Sequence, residues 1–289
     1  MLTGIINLIL ALFFLRADLT ATVNHEAIFI NLKPNAPVME LTAEKGAVLT
    51  ADDRIFLFTK RADEVQPIAS ITKLMTALVF LDNNPGWETN YEITAADNVA
   101  GGRLNLFLGE NVTVRDLFYT SLVASDNGAT AALVHATGLS EEEFVAQMND
   151  RAVRLGLVNT RFVDPIGLSD QNVSTAREVA LLAQSAFRRD DISHATVRRD
   201  YEFTTREGRE KKVVSTDYLL FDTEQNAFEV LGGKTGYTDE AGYCFVGRLK
   251  DRSGREVISV ILNSDGKNER FRESKKLVNW VFTNYGRIK

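Results

Sequence analysis

The order of polar and apolar patterns along the chain predicts an α+β fold, in which a helical block is inserted into an antiparallel sheet domain. Two regions of strand-like alternation support this prediction, one at residues 47–59 and one that begins after residue 200. Between them, residues 113–189 show helical periodicity and helix-capping signals. A last helical pattern closes the chain. We therefore expect one sheet with helices packed around it.

The composition fits a globular enzyme and excludes several other classes of protein. The chain has 289 residues, of which 45% are hydrophobic and 25% charged, so it can bury a large core. Its net charge of −6 disfavours nucleic acid as a partner. A single cysteine, Cys244, can form neither an internal disulfide nor a zinc cluster. The chain has three histidines, which are His25, His135 and His194, and none of them lies in a metal-binding pair. We therefore expect no metal and no cofactor.

The N-terminal segment predicts export. Residues 2–15 are almost wholly apolar, and a helix of that length spans about 21 Å, which is less than the bilayer core of about 30 Å. Residues 1–21 are therefore interpreted as a signal peptide or an N-terminal membrane anchor, the alternative being a buried terminal helix. Residues 22–45, which contain Pro34 and Pro37, are interpreted as a linker. The catalytic domain is expected at residues 46–289.

The first structural elements are a hairpin and a helix. Strand-like residues 47–50 and 54–59 flank a turn at Asp52 and Asp53. Residues 70–81 are expected to be helical, because their apolar side chains recur at helical spacing. These apolar side chains are Ile71, Leu74, Met75, Leu78 and Leu81.

The middle and the end of the chain complete the sheet domain. A helical subdomain at about residues 90–200 has three capping-box candidates, which are Thr113 with Asp116, Ser140 with Glu143, and Thr175 with Glu178. Residues 201–205 and 211–215 predict a hairpin with a charged tip. Strands follow at residues 228–231, 242–249 and 256–262, and their short spacing favours antiparallel pairing. A closing helix is expected at residues 269–284. Its apolar face, which should point into the core, consists of Phe271, Leu277, Val278 and Val281.

Ser70 and Lys73 form an S-x-x-K motif at the start of the predicted helix. Residues at positions i and i+3 share a helix face, so the lysine amine can reach the serine hydroxyl. Backbone N–H groups at the helix start would favour a developing oxyanion. Alone the motif is weak, because an N-cap serine and a solvated lysine produce the same pattern. Ser264 and Lys267 match it as well, in a segment that predicts a turn.

Two further motifs carry polar side chains suited to chemistry. Ser125 and Asn127 lie between two helical segments and offer a hydroxyl for proton relay and an amide for a peptide group, although a helix cap would use the same residue types. Lys234, Thr235 and Gly236 follow an apolar strand start and would bring a cation, a hydroxyl and a bare backbone to a substrate. A P-loop is excluded, because Phe228 stands where its first glycine belongs.

Together and in this order, the three motifs are those of serine enzymes that bind penicillin. The chain resembles the D-alanyl-D-alanine carboxypeptidases, the low-molecular-mass penicillin-binding proteins, from about residue 46 to its end. Segments similar to that family are residues 67–76, 164–168, 174–178 and 233–244. The resemblance implies a β-lactamase/transpeptidase-like fold, with a five-stranded antiparallel sheet flanked by helices and an inserted all-helical subdomain.

The resemblance also implies a reaction. Ser70 would attack the D-Ala–D-Ala bond of a peptidoglycan stem peptide and form an acyl-enzyme, with Lys73 as its base. Burial and the charge of Lys234 would lower the pKa of Lys73. Ser125 would relay a proton to the leaving D-alanine. The implied location is the extracytoplasmic side of the membrane, and β-lactams would acylate Ser70.

The implied binding residues surround this serine. Asn127 would hold the substrate amide, and Lys234 with Thr235 would bind its terminal carboxylate. The backbone N–H groups of Ser70 and Tyr237 would form the oxyanion hole. Gly236 would let the substrate approach the strand closely.

The chain departs from the family pattern in places, and three further functions stay open. The segment at residues 215–217 reads Ser-Thr-Asp, where Asn-Thr-Asn is more usual. The chain ends just after its last helix, so any membrane attachment is expected at the N-terminal side. A class A β-lactamase needs a glutamate in the loop after the helical block, but residues 161–172 contain only Asp164 and Asp170 as acids. A peptidoglycan endopeptidase and a non-catalytic binder of peptidoglycan or penicillin are also compatible with the motifs.

Overall fold

The computed structural model of the chain describes residues 30–99, 101, 105–222 and 228–287. The export segment predicted at residues 1–21 and the first part of the predicted linker lie outside these residues. The strands are β1 Ile30–Leu32, β2 Lys45–Thr50, β3 Phe56–Lys60, β4 Gln66–Pro67, β5 Asn90–Glu92, β6 Asn111–Thr113, β7 Val173–Ser174, β8 Asp200–Thr204, β9 Glu210–Val214, β10 Phe228–Thr238, β11 Gly242–Asp251, β12 Glu256–Ser264 and β13 Tyr285–Arg287. The α-helices are α1 Lys73–Asp82, α2 Val114–Val123, α3 Asn127–His135, α4 Glu141–Leu155, α5 Ala176–Phe187, α6 Asp190–Thr196 and α7 Glu269–Asn284.

A five-stranded antiparallel sheet forms the centre of the molecule, in the order β10-β11-β12-β2-β3. Strands from the two ends of the chain meet in it, since β12 pairs with β2 and Val260 lies opposite Ala47. This confirms the predicted α+β fold. Because β10 is an edge strand, one of its sides remains available to a cleft.

Both faces of the sheet are buried. Ala47 and Leu49 pack into the cluster that contains α5, whereas Val48 between them packs into the cluster that contains α7. Successive side chains of a strand point to opposite faces, so this alternation places one helical layer on each side of the sheet. The chain therefore forms a three-layer structure, with the helical block lying beside the β10 edge.

The predicted helix signals are largely confirmed. The closing helix α7 has the bounds expected from the sequence. Thr113 and Ser140 form capping boxes with Asp116 and Glu143, and Thr175 caps α5. The hairpin of β8 and β9 carries the charged run at its tip.

Two predicted boundaries are wrong. Ser70 does not begin an α-helix, because residues Ala69–Thr72 form a 3₁₀ turn and α1 starts at Lys73. Ala69 has a φ of +47°, which breaks any regular helix before the serine. The strand predicted at residues 228–231 is longer than expected, since β10 continues through the K-T-G motif to Thr238. Its glycines hide the strand pattern in the sequence.

The described part of the lead-in is attached to the closing helix. Strand β1 pairs with β13, and the indole of Trp280 donates a hydrogen bond of 2.8 Å to the Pro37 carbonyl. The carboxylate of Glu273 on α7 accepts the backbone N–H of Ala43. Within the ranges that the structure describes, no helix has both the length and the apolar character needed to cross a membrane.

Candidate active site

The three sequence motifs line one cleft, between the free edge of β10 and the helical block. Ser70, Ser125 and Thr235 contribute to its walls, and so do Gly236 and Tyr237. Each motif reaches the cleft from a different element: the 3₁₀ turn before α1, the loop between α2 and α3, and strand β10. The fold therefore brings together residues that lie up to 167 positions apart in the chain.

The amine of Lys73 has three hydrogen-bond partners. Its Nζ lies 3.1 Å from Ser70 Oγ, 2.9 Å from Asn127 Oδ1 and 2.8 Å from the carbonyl oxygen of Ile166. A carbonyl and an amide oxygen can only accept, so they take the two hydrogens of a neutral amine. The remaining lone pair is then directed at the hydroxyl of Ser70, which can donate to it. In its neutral form Lys73 is therefore oriented to take the proton of Ser70.

Burial favours that neutral form. Lys73 is fully buried, and burial lowers the pKa of its amine to about 7, while the charges of Asp126 and Asp164 act in the opposite direction. An amine with a pKa near neutrality is half deprotonated at physiological pH. It can then act as a general base, as the S-x-x-K spacing suggests.

Ser125 faces Lys234 across the cleft. The amine of Lys234 lies 2.6 Å from Ser125 Oγ and also donates to the carbonyl of Thr235. Ser125 has a φ of +56°, an unfavourable conformation for a residue with a side chain. Together with Ala69 before Ser70, this places a strained backbone position at each of the two cleft serines. Such strain persists only where surrounding packing enforces it.

The side-chain amide of Asn127 is engaged at both ends. Its Oδ1 accepts from Lys73, and its Nδ2 donates to the carbonyl of Gly101 at 2.9 Å. Asp126 before it caps α3 by accepting the N–H of Ala129. Asn127 therefore orients the lysine amine, a contact that the sequence motif did not reveal.

Gly236 is required for a packing reason that the sequence did not reveal. A β-carbon at this position would lie 2.7 Å from the carbonyl oxygen of Ile68 and 3.3 Å from the backbone nitrogen of Ser70. The glycine thus lets β10 pack directly against the turn that carries Ser70. This close contact brings the backbone of Tyr237, the next residue, to the same side of the cleft as Ser70.

A loop after the helical block supplies the Ile166 carbonyl to Lys73. The carboxylate of Asp164 accepts backbone N–H groups from Ile166, Gly167 and Ser169, which folds the loop around it. Gly167 has a φ of +86°, and a β-carbon there would lie 2.2 Å from the carbonyl of Ala69. The loop therefore packs directly against the Ser70 turn, as β10 does.

Three residues of the site were not predicted from the sequence. Arg270 lines the cleft, and its guanidinium donates to the carbonyl of Gly236. The sequence feature that could have identified Arg270 is its position as a charged residue on the apolar face of α7, seven positions before Leu277. Thr216 lies with its hydroxyl 2.7 Å from that of Thr235. Asp217 is buried beside them, and for it the only signal was the unusual Ser-Thr-Asp segment.

Cys244 is fully buried in β11, as expected for a small core residue. Burial raises the pKa of its thiol to about 11, so the thiol stays protonated and unreactive.

Comparisons with known proteins agree on one family. A family model described as D-alanyl-D-alanine carboxypeptidase matches residues 32–266. A D-alanyl-D-alanine endopeptidase of Haemophilus influenzae is 36% identical over 203 residues, which cover 69% of this chain and 68% of that protein. A D-alanyl-D-alanine carboxypeptidase of Bacillus subtilis is 30% identical over 84% of this chain and 63% of its own length. A penicillin-binding protein of Listeria monocytogenes, solved in its cefotaxime-bound form, superimposes with a TM-score of 0.73 at 34% identity, covering 85% of this chain and 99% of that one.

The packing of Gly167 leads to a stability prediction. Gly167→Ala should lower the free energy of unfolding by at least about 2 kcal/mol more than Gly208→Ala does. Both glycines have nearly the same φ, +86° and +82°, but nothing lies within 4 Å of a β-carbon at Gly208. Urea denaturation of the two variants separates the steric contact from the cost of the positive φ. Equal losses would show that the loop can move away from the Ser70 turn at no cost.

Proposed function

Because the chain belongs to the D-alanyl-D-alanine carboxypeptidase family of serine peptidases, we propose that Ser70 cleaves the terminal D-Ala–D-Ala bond of peptidoglycan stem peptides. The product is a shortened stem peptide and free D-alanine. The single observation that best supports this assignment is the contact of Lys73 with Ser70, in which two pure acceptors leave the lysine lone pair for the serine hydroxyl.

Acylation begins with a proton transfer. Neutral Lys73 takes the proton of Ser70 Oγ while that oxygen attacks the carbonyl carbon of the penultimate D-alanine. The carbonyl oxygen becomes an oxyanion, and the backbone N–H groups of Ser70 and Tyr237 are proposed to stabilise it. The packing of Gly236 against the Ser70 turn supports this pairing, because it holds the strand that carries Tyr237 close to the backbone of Ser70.

Release of D-alanine needs a proton on the leaving nitrogen. The C–N bond breaks as Ser125 passes its proton to that nitrogen, and Lys73 then gives Ser125 the proton that it took from Ser70. Lys234, which lies 2.6 Å from Ser125 Oγ, stabilises the negative charge that this transfer places on the hydroxyl. Water then attacks the acyl-enzyme with Lys73 as base again, and Ser70 recovers its proton.

Substrate binding is assigned to the opposite wall of the cleft. Lys234 and Thr235 would bind the terminal carboxylate, and the guanidinium of Arg270 adds a third donor group on the same wall. Asn127 would hold the substrate amide. This contact requires its Nδ2 to exchange the carbonyl of Gly101 for the substrate, since both ends of the side-chain amide are engaged.

An endopeptidase is the second candidate, favoured by the similarity to the Haemophilus influenzae protein of that name. An endopeptidase cuts a cross-link, so its leaving group carries a second peptide instead of ending at one D-alanine. The two activities are separated by incubating the protein with a stem pentapeptide and with a cross-linked muropeptide dimer. Release of D-alanine from the pentapeptide supports the carboxypeptidase, whereas cleavage of the dimer alone would replace it with the endopeptidase.

A β-lactamase activity is poorly supported. Of the two acids in the loop, Asp164 binds the loop's own backbone N–H groups, and Asp170 is exposed. Neither is arranged to activate a water for rapid deacylation. We therefore propose that β-lactams remain as covalent inhibitors on Ser70.

The substrate determines where the protein acts. The family works on the cell wall, so action outside the cytoplasm follows from family membership. We propose that residues 1–21 direct the export, as a cleaved signal peptide or as an uncleaved N-terminal anchor. N-terminal sequencing of the exported protein distinguishes the two forms.

Covalent labelling tests the nucleophile. Fluorescent penicillin should label the wild-type protein, and Ser70→Ala should abolish the labelling, because the variant lacks the hydroxyl that forms the acyl bond. Ser264→Ala is a matched control, since Ser264 belongs to the second S-x-x-K match but hydrogen-bonds to Glu273 instead. Labelling that survives in Ser70→Ala, or is absent from the wild type, would contradict the assignment.

The acid limb of the pH profile tests the base. Acylation by penicillin should rise with pH through about 7 and fall about tenfold per unit below it, because protonated Lys73 cannot accept a proton. Lys73→Arg, which stays charged, should acylate at least about a hundredfold more slowly at pH 7.5. Lys60→Arg on β3 serves as the control. A flat wild-type profile between pH 5 and 8 would rule out Lys73 as the base.

A further inference from the structure

Asp217 is a buried carboxylate that the proposed reaction does not use. Its side chain is 2% exposed. Its Oδ1 accepts the N–H of Leu219 at 2.9 Å, and among the described residues its Oδ2 has no hydrogen-bond partner. Leaving a buried carboxylate oxygen without a partner costs free energy, so this oxygen calls for an explanation.

The orphan oxygen faces the K-T-G strand. A β-carbon at Gly233, the residue before Lys234, would lie 2.1 Å from Asp217 Oδ2. The neighbouring contact between Thr216 and Thr235, at 2.7 Å, holds the two segments together. Asp217 therefore packs directly against β10, beside the residue that precedes Lys234.

Two buried cations act on this carboxylate. Lys234 on β10 is 1% exposed, and Arg270 on α7 is 4% exposed. The Nε of Arg270 is, like Asp217 Oδ2, a buried atom for which the described residues provide no hydrogen-bond partner. Burial lowers the pKa of Lys234 well below its ordinary value, and the charges of Lys73 and Arg270 lower it further, whereas the charge of Asp217 opposes them and raises it. Two cations thus share one buried anion.

We propose that Asp217 is the counterion that keeps Lys234 protonated, and that it thereby sets the upper pH limit for binding the substrate carboxylate. This inference rests on the proposed function, because the charge of Lys234 matters only if the site takes an anionic chain end. Asp217 is a positioning residue, since it acts through Lys234. Asparagine at this position would fill the same space without the charge.

The direction of the effect follows from the protonation states. Burial raises the pKa of Asp217 to about 7, against the opposing charges of Arg270 and Lys234. Below that pH the wild type and an Asp217→Asn variant carry the same charge at this position. Above it only the wild type has the carboxylate, and Lys73 is by then neutral and no longer repels Lys234. A difference between the two proteins is therefore expected only on the alkaline side.

The test is the pH dependence of kcat and KM for D-alanine release from a stem pentapeptide, between pH 5.5 and 9.5. At pH 6, Asp217→Asn should have a KM within about twofold of the wild type. The alkaline limb of its KM profile should shift to lower pH by about one unit. KM at pH 8.5 is then about tenfold higher than in the wild type, while kcat changes little. Asp217→Ser should behave alike, since a serine can still cap the N–H of Leu219.

Asp251→Asn is the matched control. Asp251 is another buried aspartate, 9% exposed and paired with Arg255, but it lies at the far end of β11. Its replacement should change stability and leave the alkaline limb in place.

Three outcomes would overturn the inference. A wild-type alkaline limb in both Asp217 variants would show that the carboxylate does not control Lys234. An increase in KM that is equally large at pH 6 and pH 8.5 in Asp217→Ser would indicate a purely structural role. A limb that moves equally in Asp251→Asn would show a nonspecific effect. None of these outcomes affects the proposed function, which fails only if the wild type neither releases D-alanine nor is labelled by penicillin.

Discussion

The burial of two lysine amines in one cleft is the constraint on which the site depends. Lys73 and Lys234 are both buried, and an amine removed from water loses its proton unless oxygen atoms or anions surround it. Burial lowers the pKa of both amines, and the fold surrounds each lysine differently. Lys73 has two acceptors for the hydrogens of a neutral amine and a serine hydroxyl that can donate to its lone pair. Lys234 has a carbonyl, a serine hydroxyl and the nearby carboxylate of Asp217, whose charge opposes the effect of burial on the pKa of Lys234.

The backbone is shaped to bring these partners close. Ala69 and Ser125 adopt positive φ values, and Gly236 and Gly167 allow β10 and the Asp164 loop to pack closely against the Ser70 turn. Each of these features is unfavourable in isolation, by strain or by lost chain entropy. The three-layer core provides the packing that holds them in place. Stability elsewhere in the molecule therefore maintains the geometry that a serine D-Ala-D-Ala carboxypeptidase needs.

Much of the fold could be predicted because its signals are local. Capping boxes at Thr113 and Ser140, the charged hairpin and the bounds of α7 depend on residues a few positions apart. The prediction failed where tertiary contacts override local preference. The 3₁₀ turn at Ser70 exists because β10 and the Asp164 loop pack against it, and this signal is not present within the segment itself. The strand expected at the K-T-G motif does form, but its full length depends on pairing with β11.

The sequence by itself determined which chemical groups the site contains and the pairing of Ser70 with Lys73, since spacing on a helical turn needs no distant partner. Only the tertiary structure decided the rest. The contact of Lys234 with Ser125 spans 109 positions, and that of Lys73 with Ile166 spans 93. Arg270 and Asp217 join the site in the same way, from segments distant in the chain. Charge states follow these contacts, because a pKa depends on burial and on neighbouring charges that only the folded chain assembles.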